Sequence, residues 1–165
     1  MRRFSAMMVA LALAALLQAV PNAARANPEP GPVRRAPGAA RLIARDGARL
    51  GAAMTWLRGD PRRGLYVFFT PDTYVECRPG PARGTIDCLA PCPDAWPWLE
   101  KVLTPQRIAR LHAAGYADPG VEYSKEYLAR EPADVIAAEL IALLHDAYDY
   151  RGMPPLILTA EMPPP

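Results

Sequence analysis

The sequence has 165 residues and a formal net charge of +2, a length and a charge balance that suit one domain. Three of its 19 basic residues and none of its 17 acidic residues lie within residues 1–26, so the rest of the chain carries a net charge of −1. Such a near-neutral chain lacks the basic footprint of nucleic-acid-binding proteins, and we therefore expect no nucleic-acid partner.

Residues 1–26 have the form of a secretory signal peptide. Arg2 and Arg3 precede an uncharged apolar segment at 7–20, and Ala24-Arg25-Ala26 forms a small-residue cleavage site. The apolar segment is shorter than the ~20 residues that a membrane-spanning helix needs, which disfavours the alternative of a single membrane anchor. We therefore expect an exported protein, periplasmic or secreted, with no stable membrane insertion after cleavage of the signal.

The charges of the remaining chain are unevenly divided. Residues 27–83 carry a net charge of +5, whereas residues 84–165 carry −6. This asymmetry fits a solvated surface of uneven composition. The functional alternative is a domain that docks a charged partner on one face.

Proline-rich segments flank the predicted domain. Residues 27–38 alternate prolines with few apolar residues, which predicts a disordered leader, and residues 161–165 form a proline-rich tail that is also predicted to be disordered. The single folded domain is therefore expected to span residues 39–160.

The first element of this domain is predicted to be a helix at residues 39–57. Its apolar residues are seven, four and three positions apart and share one helical face, namely Ile43, Leu50, Met54 and Leu57. The dipeptide Asp46-Gly47 leaves a hairpin between two short strands as the alternative.

Three short segments with the composition of β-strands follow. Residues 65–69 are bulky and apolar throughout and predict a buried strand, while residues 73–77 and 85–89 predict the next two strands. The short loops between these segments indicate an antiparallel meander. Near the end of the chain, residues 156–159 predict an edge strand, where the preceding prolines do no harm.

Two helices are predicted in the second half of the chain. Thr104 can cap a helix at 104–114 with Pro105 in its first turn, and Gly115 can end it in a left-handed conformation. Pro132 opens the last helix, which has a wide apolar face for covering the sheet, formed by Val135, Ile136, Leu140, Ile141, Leu143 and Leu144. The predicted fold class is α+β, with an antiparallel meander of three to four strands packed against two to three helices.

Cys77, Cys88 and Cys92 are the three cysteines of the chain. In an oxidising compartment an odd number allows at most one internal disulfide and leaves a thiol. Cys77–Cys88 could join adjacent strands, and Cys88–Cys92 would close a very short loop. A zinc site would need a fourth ligand, and Cys88-x3-Cys92 is poor zinc spacing, so we expect no metal.

The residues needed for common enzyme chemistries are sparse. His112 and His145 have no second His or Cys three or four positions away, and we expect each to be an ordinary helix histidine. As sequence neighbours, His145 and Asp146 are not expected to face one another. Ser124 is the sole serine after residue 26 and lacks a nucleophile-elbow motif. With no phosphate-binding loop and no metalloprotease or calcium motif, we expect neither enzymatic activity nor a cofactor.

Trp96 and Trp98 lie in the proline-rich segment 91–99 and form a candidate interaction surface. Two tryptophans in a loop either form an exposed docking surface or fold back on the edge of the core. We expect both rings to be mostly buried against the sheet.

Several segments between residues 66 and 158 resemble the TY-Chap domain family, small α+β domains related to type III secretion chaperones and YbjN-like proteins. Tyr66-Val67-Phe68-Phe69 is similar to a family strand. The central similarity comprises Leu103-Thr104-Pro105-Gln106, Leu111, Ala114-Gly115-Tyr116 and Asp118-Pro119. Weaker similarities are Tyr123-Ser124-Lys125-Glu126-Tyr127, Ile136-Ala137 and the helix end Leu144-His145-Asp146-Ala147-Tyr148-Asp149-Tyr150.

The resemblance implies an α-β-β-β-α-α domain without catalytic activity that binds another polypeptide, and homodimers are common among chaperones of this fold class. The export signal, the cysteines and the segment 91–99 depart from the family pattern. We therefore expect an exported, non-catalytic domain that binds a protein or peptide. The alternatives are a small periplasmic thiol or redox protein or enzyme that uses Cys88 or Cys92, and an envelope component without a stable partner.

Overall fold

The computed structural model describes residues 37–118 and 121–162, so the predicted signal peptide, nearly all of the leader and most of the tail lie outside the described residues. The sheet strands and α-helices in chain order are α1 (Pro37–Leu57), β1 (Gly64–Phe68), β2 (Tyr74–Pro79), β3 (Ile86–Ala90), α2 (Pro105–Ala113), β4 (Tyr123–Tyr127), α3 (Ala133–Asp146) and β5 (Ile157–Glu161). A 3₁₀ helix, Pro97–Lys101, precedes α2. The α+β class predicted from the sequence is confirmed.

Helix α1 confirms the helical interpretation of residues 39–57, and the hairpin alternative is wrong. The helix begins at Pro37, two residues before the predicted start of the domain, because proline suits the first turn of a helix. It packs antiparallel to α3, with Gly38 beside His145 and Gly51 beside Asp134. A Cβ atom on Gly51 would lie 3.4 Å from the Asp134 Cα, so this glycine allows the two helices to approach closely.

The five strands form one antiparallel sheet in the order β4-β3-β2-β1-β5. The meander β1-β2-β3 was predicted, and β5 is an edge strand as predicted. Strand β4 was not predicted, and the predicted sheet had three to four strands instead of five. Its sequence Tyr-Ser-Lys-Glu-Tyr hides the alternation, because Lys125 occupies an inward position between Tyr123 and Tyr127.

Lys125 is accommodated there because its ammonium group has partners. Its Nζ donates to the carbonyl oxygen of Ala114 at 2.6 Å and pairs with Glu139 of α3. The same Nζ lies 4.5 Å from the centre of the Tyr127 ring, in the geometry of a cation–π contact. One lysine therefore joins β4, α3 and the end of α2.

Helix α2 begins and ends where the sequence predicts. Thr104 is at the N-cap and Pro105 at the first helical position, although the Thr104 side chain makes no capping hydrogen bond. Gly115 has φ +89°, the left-handed conformation that ends the helix. Helix α3 begins at Ala133, directly after Pro132.

The helices lie on one face of the sheet, called here the inner face. Its strand residues join the buried apolar residues of α1, α2 and α3 in one core cluster, which includes Leu65, Val67, Val75, Cys77, Ile86, Cys88, Tyr123 and Tyr127. In the part of the chain that the structure describes, no helix combines the length and apolar character needed to cross a membrane.

Candidate functional site

A disulfide joins Cys77 of β2 to Cys88 of β3. The two cysteines are directly opposite one another in the strand register, and both are fully buried on the inner face. The prediction of this pair is confirmed, and the alternative Cys88–Cys92 pairing is wrong. The bond suits an oxidising compartment and joins the central strands of the sheet.

Cys92 is the free cysteine, and its side chain is 8% exposed. Its Sγ contacts the carbonyl oxygen of Val121. A redox or nucleophilic cysteine must be reachable by its substrate. The burial of Cys92 and of the disulfide therefore speaks against the thiol alternative, in which Cys88 or Cys92 acts on a substrate.

The two histidines make local contacts. His112 Nδ1 lies 3.0 Å from the carbonyl oxygen of Tyr116. Arg151 donates to His145 Nε2 at 2.7 Å, which leaves His145 Nδ1 to donate to Asp146 Oδ1 at 2.7 Å. The expectation that His145 and Asp146 do not face one another is wrong, because their side chains are in hydrogen-bonding contact at the end of α3. Within residues 37–118 and 121–162, no group of three His, Cys, Asp or Glu side chains could hold a metal ion.

The other face of the sheet, called here the outer face, has no helix packed on it among α1, α2 and α3. Its side chains alternate with the buried inner residues along each strand and are half-buried or exposed. They belong to Tyr66, Phe68, Tyr74, Glu76, Arg78, Asp87, Leu89, Ser124, Glu126, Ile157, Thr159 and Glu161.

Four aromatic side chains form a contiguous group on the outer face, called here the aromatic cluster. The ring of Tyr74 is central, with centroids 5.2 Å from Tyr66, 5.0 Å from Phe68 and 5.8 Å from Trp96. Such separations are typical of favourable ring contacts. Residues 65–69 were predicted to form a buried strand, and the structure buries Leu65, Val67 and Phe69 but leaves Tyr66 and Phe68 half-buried on the outer face.

The structure separates the two tryptophans. Trp96 is half-buried and packs beside Tyr74, at the edge of the core. Trp98 is 38% exposed, so its predicted burial against the sheet is wrong. The two tryptophans flank Pro97, the first residue of the 3₁₀ helix. The buried residue of this helix is Leu99, and Trp98 is among its exposed residues.

Carboxylates surround the aromatic cluster. Glu76 and Glu161 are paired with Arg78, and Tyr66 Oη donates to Glu161 Oε2 at 2.8 Å. Asp87, Glu122 and Glu126 make no ion pair within the described ranges. These three residues are called here the unpaired carboxylates.

Two of the unpaired carboxylates have perturbed protonation equilibria. Burial raises the pKa of the Asp87 carboxyl, and repulsion from Glu126 on the neighbouring strand adds to the increase. Burial also raises the pKa of Glu122, and repulsion from Glu76 adds to it. The negative charges on this face therefore repel one another across three strands.

A second surface feature is an open groove of about 350 Å³ between α1 and α3. It is lined by Ile43, Gly47, Ala48, Asp134, Val135 and Ala138. Apart from the carboxylate of Asp134, the side chains that line the groove are apolar, so few groups there could take part in a reaction.

Comparison with known proteins identifies no relative of this chain. No protein-family model matches the chain, and neither the curated proteins nor the solved structures include a match. The similarity to TY-Chap domains consequently rests on the sequence motifs alone, and the outer face is the candidate functional site on its geometry.

Proposed function

We propose that this chain is an exported, non-catalytic domain that binds a protein or peptide on the outer face of its sheet. The observation that carries the proposal is the contiguous aromatic cluster on a sheet face that none of α1, α2 and α3 covers. Aromatic side chains offer a large, stiff contact area at low cost in conformational entropy, and they are enriched at binding interfaces.

Export is supported by two independent features. Residues 1–26 have the charge, apolar segment and cleavage motif of a signal peptide. The buried Cys77–Cys88 disulfide suits a protein that folds outside the reducing cytosol.

Selection of peptides tests the binding role. Residues 27–165, purified with the disulfide formed, would be used to select peptides from a displayed random library. We expect selected peptides to bind at least about tenfold more weakly to Tyr74→Ala, because Tyr74 contacts the other three rings of the cluster.

Val135→Ala provides the matched control, because Val135 is an exposed apolar residue of α3 and lies on the opposite side of the domain. It should leave peptide affinity unchanged. Failure to enrich any peptide over an unrelated disulfide-bonded domain would overturn the proposal, as would selected peptides that bind Tyr74→Ala as tightly as the parent protein.

A further inference from the structure

Resting on the proposed function, we propose that the outer face selects an extended polypeptide segment that carries lysine or arginine beside apolar residues. The basic side chains contact the unpaired carboxylates on the β3–β4 half of the sheet. The apolar side chains pack on the aromatic cluster on the β1–β2 half. The partner is thus defined by a cationic part and an apolar part held next to each other.

Charge complementarity carries the cationic half of this inference. The outward side chains of the five strands, together with Glu122, comprise five carboxylates and one arginine. That arginine, Arg78, already pairs with Glu76 and Glu161 and donates to Tyr66 Oη at 2.9 Å. The unpaired carboxylates therefore have no cation of their own on this face within the described residues.

The register brings two of these carboxylates together. Asp87 and Glu126 are directly opposite one another on β3 and β4. Like charges at directly opposed positions destabilise a sheet. Arg78 is opposite Asp87 on β2, but among the described residues its guanidinium forms ion pairs with Glu76 and Glu161 and none with Asp87. A basic side chain placed between them would replace this repulsion with two attractive contacts.

Dimensions favour a polypeptide over a small cation. Adjacent strands lie about 4.8 Å apart, so the outer face measures about 14 Å from β4 to β1. An extended chain advances about 3.3 Å per residue, so about four residues reach from the carboxylates to the aromatic cluster. A metal ion or a simple amine could neutralise the carboxylates but would leave the rings uncovered.

The aromatic cluster can accept more than one kind of apolar side chain from the partner. Tyr66, Tyr74 and Trp96 present ring edges and faces against which aliphatic and proline side chains pack well. An arginine at the boundary between the two halves can contact a carboxylate and a ring at once. The partner is therefore expected to have mixed basic and apolar residues within a few positions of one another.

Two labelled peptides of about eight residues test this inference by fluorescence anisotropy with the disulfide-bonded protein. One peptide carries two arginines followed by two phenylalanines, and the other has glutamates in place of the arginines. We expect the arginine peptide to bind at least about tenfold more tightly at low salt. The difference should shrink as salt is added, because exposed charge interactions are screened.

The double variant Asp87→Asn, Glu126→Gln removes two charges with little change in shape. It should reduce the preference for the arginine peptide to less than about threefold. The matched control Asp134→Asn, Glu100→Gln also removes one aspartate and one glutamate, from exposed positions outside the strands, and should retain the full preference. A preference that survives in the Asp87 and Glu126 variant would overturn the inference.

The outcomes separate this inference from the proposed function. Equal binding of both peptides, with loss of both in Tyr74→Ala, overturns charge selection but keeps the outer face as a peptide site. Library peptides without enrichment in lysine and arginine also overturn charge selection alone. Library peptides that bind parent protein and Tyr74→Ala equally overturn the proposed function itself.

Discussion

The two faces of the sheet differ in what covers them and in what their residues do. Inner-face residues such as Val67, Val75 and Ile86 are completely buried beneath helices, and the disulfide lies among them. Outer-face residues of the same strands are half-buried or exposed, and they include three rings of the aromatic cluster and two carboxylates. Burial on the inner face contributes most to stability, whereas repelling carboxylates beside half-buried rings contribute little, and this contrast is why we propose a binding role for the outer face.

The largest expected effect contrasts the two faces within one strand. Ile86→Ala on the inner face of β3 should lower the free energy of unfolding by about 2–5 kcal/mol, because it opens a cavity in a packed core. Leu89→Ala on the outer face of β3 should cost less than about 1 kcal/mol, because Leu89 is already partly in contact with water. Urea denaturation measures both, and equal costs would contradict the assignment of the two faces.

The disulfide tests the inner face in a second way. Cys77→Ala with Cys88→Ala should cost about 2–4 kcal/mol in urea denaturation, because the bond restricts the unfolded chain. Native protein should resist alkylation. After denaturation one thiol, Cys92, should react, and after reduction all three should react, as counted by intact mass spectrometry.

The same spectra test processing and connectivity. Protein recovered from the periplasm or medium should have the mass of a chain whose first residue is Asn27. A mass that includes residues 1–26, together with three reactive thiols in the denatured but unreduced protein, would contradict both export and the bond.

The tryptophans offer a smaller contrast at the border of the outer face. Trp96→Ala should cost about 1–2 kcal/mol in urea denaturation, because it removes partly buried area and the ring contact with Tyr74. Trp98→Ala should change stability by less than about 0.5 kcal/mol, because Trp98 is exposed. Iodide should accordingly quench the fluorescence of Trp98 more strongly than that of Trp96, and the reverse order would contradict the described loop.

The smallest expected effect concerns pH and the repelling carboxylates. Two charged residues are directly opposite Asp87 on the neighbouring strands. Repulsion from Glu126 raises the pKa of Asp87, and the guanidinium of Arg78 is paired with Glu76 instead. Because the pKa of Asp87 is higher in the folded than in the unfolded protein, its charge destabilises the fold at neutral pH. Asp87→Asn should therefore raise stability by up to about 0.5 kcal/mol at pH 7. This gain should disappear as the pH falls through the folded pKa towards the unfolded value of 3.8.

Asp60 provides a control in which the charge of a carboxylate stabilises the folded protein instead of destabilising it. Hydrogen bonds from Arg62 lower the pKa of Asp60 to about 2, so its charge favours the folded state. Asp60→Asn should lower stability at pH 7, and that difference should disappear as the pH falls from 3.8 through about 2. Urea denaturation at pH 7 and at pH 3 measures both variants, and changes of the same sign would contradict the electrostatic assignment.

Local sequence signals determined the elements whose stability depends on near neighbours in the chain. Composition and spacing predict the helix at residues 39–57 and the strands of the meander. They also predict that α2 starts at Thr104-Pro105 and ends at Gly115. Backbone restrictions at proline and glycine act over a few residues, which is why these boundaries were predicted closely. The disulfide pair was one of two pairings left open, because spacing alone does not specify strand register.

Contacts between residues far apart in the sequence decided the features that were not predicted, namely strand β4, the aromatic cluster and the opposed carboxylates. Strand β4 was not apparent because Lys125 is stabilised inside by Ala114 and Glu139, partners 11 and 14 residues away. The aromatic cluster combines residues of β1 and β2 with Trp96 from a later loop. The opposition of Asp87 and Glu126 exists because β4 pairs with β3, a register set by packing and hydrogen bonding across the sheet. The sequence therefore determined which local elements form, and the tertiary structure decided which side chains share the exposed face, because only folding brings residues from separate strands together.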